Sequence, residues 1–330
     1  MMKKLFYLLS GVTLLAIACS GKSKVTPAVV PPPVVKPDTP ATVAACSKCI
    51  VLAEQSQHRI VIADVASGAV IWEWKPENSN VKPEHVKWFS NPSDAKAVYN
   101  NEYILTNASG GGVALIRIAD KKTVFYAYAG GNTHSSELLP DGNIVTASST
   151  GNYLMLFKTD TLHYPDGVKT KKIPIDFGHN VVWDAGQQRL WSAAMATMRS
   201  FRYNFNCAAP DLMPDTVINI PGTEAHDLFP VYGENNLWLT NTTNVYTFNV
   251  ISKKLTQADV LQANIKSVSS AGSGFPVLLI RPKESWWTDE VLDAKGNSIF
   301  SQKGWKIYKA RWVIPNTFSY PVNDQVHLCR

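Results

Sequence analysis

The chain of 330 residues is short of most features that would assign it to a familiar class. Its longest apolar run, Leu5 to Ala16, is a dozen residues, too short for a stable membrane-spanning helix. No amphipathic helix of three turns appears after that run. There is no GxSxG elbow, no HExxH and no Walker loop, so the usual serine-hydrolase, zincin and P-loop signatures are missing. Ser109-Gly110-Gly111-Gly112 is the one glycine run; it lies between two strand-like segments and reads as a hairpin turn, not as a phosphate cradle. The formal charge is +6, or +4 without Lys3 and Lys4, and it is scattered, which excludes a clustered nucleic-acid footprint. Cysteine is scarce at five residues.

The N-terminal residues set the compartment. Lys3 and Lys4 precede the apolar run, which ends Leu14-Leu15-Ala16-Ile17-Ala18-Cys19. A short basic segment, an apolar core and small residues before a cysteine read as a signal peptide over residues 1–18, and the last of these resemble a bacterial lipobox. Cys19 is then the lipidation site, and two or three acyl chains on it give stable anchoring. The expected location is the outer membrane of a Gram-negative bacterium, facing the periplasm or the cell surface. Residues 19–45, with Pro31-Pro32-Pro33 and prolines 27, 37 and 40, form an extended tether that cannot build a core. Residues 46–330 are left as one large all-β domain, expected to be a monomer.

Four cysteines remain in an exported chain, and they permit three disulfide connectivities. Cys46-Ser-Lys-Cys49 has CxxC spacing, but a zinc site needs a second ligand pair and a thioredoxin-like site needs a βαβ unit; neither is present. The expectation is a staple joining the two ends of the domain, Cys46 or Cys49 with Cys329.

Internal repeats carry the fold. Tyr103–Ser109 with Val113–Ile118, Asn143–Ser148 with Tyr153–Phe157, Arg189–Ala194 with Met198–Tyr203, and Asn236–Thr240 with Val245–Val250 are each a β-rich strand, a polar turn and a second strand. Cys49–Glu54 with Arg59–Ala63 opens the series, and Pro276–Ile280 with Trp286–Thr288 ends it. Turn chemistry such as Pro140-Asp141-Gly142-Asn143 separates the segments. Six units with a period of roughly 40 to 50 residues predict a six-bladed β-propeller.

A second periodicity falls in phase with the first. His85, His134, His179, His226 and Lys266 each precede an expected inner strand, at intervals of 49, 45, 47 and 40 residues. His327 precedes Leu328-Cys329-Arg330, which would then close the ring as the inner strand of the first blade. Because inner strands line the central channel, these six residues are expected around one mouth. Three or four neutral imidazoles there, His134, His179 and His226 foremost, suit a divalent transition metal acting as a Lewis acid. Without a metal, the imidazoles and Lys266 suit a sugar or an anion. Glu84, Glu137, Asp184, Glu224 and Asp227 are candidates to pair with a histidine and set its tautomer, although no spacing marks any of them as a general acid or base. Of the recurring tryptophans (Trp88, Trp183, Trp191, Trp238, Trp286, Trp287, Trp305 and Trp312), most read as packing between blades, with one or two left to stack on a sugar near the mouth.

Leu52-Ala-Glu-Gln55, Arg59–Asp64 and Gly68–Trp74 resemble a blade of the quinoprotein-like propellers, and His134–Asn143 is similar. The resemblance covers about residues 46 to 330 and implies the fold; no calcium–quinone residue is matched. The chain also resembles lipobox-bearing propellers of uncharacterised function, and the histidine ring is similar in kind to that of the seven-bladed oligogalacturonate lyases, which hold a metal at the channel mouth. Since fold does not fix function, three expectations stand. The first is a propeller that binds a carbohydrate or acidic glycan fragment. The second is a metal-dependent polysaccharide lyase or hydrolase at the same mouth, and the third a protein-interaction scaffold.

Overall fold

Alternation along each strand builds the domain. In Cys49–Glu54, Cys49 and Val51 pack to one side while Ile50 and Leu52 pack to the other. Arg59–Asp64 repeats this, with Ile60 and Ile62 on the first side and Val61 and Ala63 on the second. Period-two strands that are apolar on both faces need a sheet on either side, and a ring of sheets supplies it. A computed structural model of the protein describes residues 46–322 and 324–326. The signal peptide, Cys19, the tether, His327 and Cys329 lie outside the described residues.

Six four-stranded antiparallel sheets form a six-bladed β-propeller. Blade 1 has its strands in the order Ile307–Trp312, Cys49–Glu54, Arg59–Asp64 and Val70–Trp74. The inner strands of blades 2 to 6 are Pro92–Val98, Thr133–Leu138, Asn180–Asp184, Asp227–Pro230 and Ser267–Ser269. The six inner strands touch one another in a closed circle around the channel. Outer strands face solvent on one side, as in Thr170–Pro174, where only Ile173 is buried. Six hydrophobic clusters fill the six gaps between neighbouring blades. Trp183, Trp191, Trp238 and Trp312 each belong to one of them.

The ring closes by pairing a C-terminal strand with the first blade, as expected, but through a different segment. Ile307–Trp312 pairs antiparallel with Cys49–Glu54, so the inner place foreseen for residues 327–330 is already taken. Its Lys309 and Arg311 point into the channel and lie buried among carboxylates. The last blade also differs in detail. Leu278–Ile280 pairs with Glu290–Leu292, and Trp286-Trp287-Thr288 lies in the connection between them. Cys46 is bonded to Cys49 rather than to Cys329, so the CxxC pair closes on itself and does not staple the two ends of the domain; Cys207 is also disulfide-bonded. The glycine run is a hairpin turn. Gly111 has φ +100°, and a Cβ there would stand 2.8 Å from the Gly130 backbone of the next loop.

Candidate functional site

The channel is a stack of side-chain rings set by the register of the inner strands. In blade 3, His134 bulges between the pairs Thr133↔Ser148 and Ser135↔Ala147. The same bulge places Ser93 in blade 2 and Tyr308 in blade 1. In blades 4 to 6 the equivalent residue stands just ahead of the strand. His179, His226 and Lys266 donate their backbone N–H to Ala193, Thr240 and Ile280 at 2.9, 2.8 and 2.8 Å. The uppermost ring is therefore Tyr308, Ser93, His134, His179, His226 and Lys266.

His134, His179, His226 and Lys266 thus meet at one mouth. Their cavity of about 390 Å³ is also lined by Phe177, Tyr308, Trp286 and the polar residues Gln55, Asn91, Asn132, Ser149 and Thr150. His85 is not among them. Proline at the first position favours a helical turn, and Pro83–Phe89 is a 3-10 helix in which His85 stacks on Trp88 at 3.6 Å. The slot assigned to His85 belongs to Ser93, and the slot assigned to His327 belongs to Tyr308.

The imidazoles lie in an arc, with centroids 4.3 Å apart for His134–His179 and 5.5 Å for His179–His226. Among the described residues no group of three or more His, Cys, Asp or Glu stands in an arrangement that could hold a metal ion as the side chains are placed. The rings are tilted by 50° and 85° to one another; His134 Nδ1 lies 2.8 Å from the Asn132 carbonyl, which leaves its Nε2 facing the cavity without a protein partner among the described residues, and His226 Nε2 lies 2.9 Å from Lys266 Nζ. Nor does a carboxylate set the tautomers. Glu137 pairs with Lys96, Asp227 pairs with Lys309 and Arg311, and Asp184 accepts from Trp191 and the Gln187 backbone.

Burial keeps these imidazoles neutral. It lowers the pKa of His134 to about 4, against a hydrogen bond from the ring to Asn132 that raises it. It lowers His226 to about 3, helped by the positive charge of Lys266, and holds His179 well below the usual range. Burial also brings Lys266 down to about 8, with Glu224 opposing and Lys309 assisting. A neutral imidazole both donates and accepts. Lys266 donates to His226 Nε2, which leaves the proton on His226 Nδ1, a buried atom without a partner.

Beneath the mouth the channel is filled. Lys309 Nζ reaches Asn180 Oδ1 at 3.1 Å and Asp227 Oδ1 at 3.2 Å. Arg311 clamps Asp227 through two nitrogens at 2.7 and 2.6 Å and approaches Asp94 at 3.4 Å. Lower still, Lys96 meets Glu137 at 3.0 Å, and Tyr320, on the segment that follows the closing strand, donates to the same carboxylate. This ionic plug escaped the sequence reading, although its signal was present: charged residues two apart, Lys309 with Arg311 and Asp94 with Lys96, occupy strands whose other positions, Ser93 apart, are apolar or aromatic.

A family described as a family of unknown function, DUF6528, matches residues 2–330. Comparison with curated proteins gives no match. Among solved structures, a protein of unknown function from Bacteroides caccae superposes with a TM-score of 0.55 at 13% identity, covering 82% of this chain and 99% of its own. The β-propeller domain of Cps50 (Swd1) from Myceliophteria thermophila gives 0.53 at 13% identity, covering 78% and 86%. At that identity both likenesses speak to the fold alone.

Proposed function

Because the chain belongs to DUF6528, a family described only as one of unknown function, we propose its role from the channel mouth: it is a binding propeller that takes a carbohydrate carrying an acidic group. The observation that carries this reading is the composition of the cavity wall. Amides, hydroxyls and neutral imidazoles surround a single cation, Lys266, and aromatic faces stand at Phe177, Tyr308 and the half-exposed Trp286. Polyhydroxylated ligands need donors and acceptors in alternation, and sugar rings present an apolar face that packs against an aromatic side chain. The field at the mouth favours an anion. Lys266 is the one charged side chain on the cavity wall, while Lys96, Lys309 and Arg311 below it are matched by Glu137, Asp94 and Asp227.

Titration calorimetry with a uronic-acid oligosaccharide and its neutral counterpart tests the proposal. The acidic ligand binds more tightly, and Lys266→Gln removes about 10-fold or more of that affinity, as the loss of one charge-assisted hydrogen bond requires. Equal binding of both sugars, or binding of neither, overturns it. Acylation at Cys19 would hold this propeller at the envelope, within reach of glycans, on the end of its proline-rich tether.

A further inference from the structure

Three lysines are buried among the described residues. Two are neutralised: Lys96 by Glu137, and Lys309 by Asp94 and Asp227. Lys266 is 9% exposed, and its nearest polar partner is the ring nitrogen of His226 at 2.9 Å, not a carboxylate. It is also the one of the three that lines the mouth cavity. The groups around it are His226 beside it, Glu224 on the exposed segment before blade 5, Lys309 from the closing strand, and His134, His179 and Tyr308 on the cavity wall.

We propose that Lys266 is a carbonyl-trapping nucleophile, whose amine forms a reversible imine with a small aldehyde or ketone that also carries hydroxyl or carboxylate groups. The ammonium first gives a proton to water. The amine lone pair then attacks the carbonyl carbon, and the oxygen takes up a proton to give a carbinolamine. That hydroxyl leaves as water while the nitrogen lone pair closes the C=N bond. Amine plus carbonyl gives imine plus water, with no oxidant or reductant. His226 Nε2, already hydrogen-bonded to the amine, holds the nitrogen in place, and the two protons that the nitrogen gives up balance the two that leave with the oxygen as water. Desolvation and a neighbouring cation are the two means by which a lysine becomes nucleophilic near neutral pH, and both act here. At pH 7 a pKa of about 8 leaves about one amine in ten uncharged, against roughly three in ten thousand for an exposed lysine. The inference uses the cavity of the glycan reading but does not rest on it.

The test is to incubate the full chain with glyoxylate and sodium cyanoborohydride at pH 7, which reduces an imine to a stable secondary amine, and to map the modified peptides over time. Lys266 is expected to label at least tenfold faster than the exposed Lys254 and Lys283. Lys266→Arg abolishes that fast label, and His226→Gln slows it several-fold; in both variants the rates at Lys254 and Lys283 stay unchanged. Labelling of Lys266 no faster than that of the exposed lysines in the unsubstituted chain overturns the proposal, and this readout needs no variant to fold. Fast labelling in a protein that binds no uronic-acid oligosaccharide leaves the carbonyl chemistry standing while the glycan reading falls. The opposite pair of results does the reverse.

Discussion

Three histidines at the mouth are held uncharged by burial, which makes them pH-dependent contributors to stability. His134 binds a proton near pH 6.5 when unfolded and only near pH 4 when folded. The unfolded chain therefore holds more protons between those values, and stability declines as pH falls through that window and levels off below it. From the difference between 6.5 and about 4, the contribution of His134 is about 3 kcal/mol. Urea midpoints measured from pH 7.5 to 4 are expected to show the decline, and His134→Gln to make it shallower, with His179 and His226 supplying what remains. Lys266 works in the opposite direction on binding: affinity for an acidic ligand drops as pH rises past about 8, where the ammonium is lost, and calorimetry across pH 6.5 to 9.5 checks this. Four members of this ring were legible from spacing alone, because a repeat that places one strand places its neighbours. His85 was misplaced because Val86-Lys87-Trp88-Phe89 alternates like a strand while Pro83 starts a helical turn. Tyr308 was missed because nothing in its own chemistry marks a channel residue.

At the level of the strand, the closing element Ile307–Trp312 has a double task. Ile307, Ala310 and Trp312 fill the gap between blades 1 and 6, while Lys309 and Arg311 reach Asp94 and Asp227 from other blades. Buried ion pairs add little over apolar packing, but breaking one strands the remaining charge at a cost of about 3–5 kcal/mol. Asp227→Ala removes a partner of both cations and the acceptor of the Val268 N–H, and is expected to cost at least that much in urea unfolding. The same charges hid the strand from the sequence reading. A buried strand is expected to read as apolar, and Ile-Tyr-Lys-Ala-Arg-Trp does not. The neighbouring strands Cys49–Glu54 and Arg59–Asp64, whose cores are apolar on both faces, were placed to within a residue.

Across the whole molecule, the number of blades followed from the repeat, while the way the ends are secured did not, since spacing cannot decide among disulfide connectivities. The ring is completed by a strand from its far end, so a chain truncated after Trp305 leaves blade 1 with three strands and exposes the edge of Cys49–Glu54. Such a chain is expected to lose its cooperative urea transition, followed by tryptophan fluorescence and circular dichroism. The anchoring expectation is checked separately: Cys19→Ser, expressed in a Gram-negative host, is expected to move the protein from the membrane to the soluble fraction.

The filling of the channel bears on traffic through the site. With Lys309, Arg311 and the Lys96–Glu137–Tyr320 contact stacked below the histidines, the described residues close the channel beneath the pocket. Whatever enters must back out past Trp286, so residence time is governed at that rim. A partner docked on the opposite face, near Pro315 to Tyr320, would neither trap the occupant nor hurry it away.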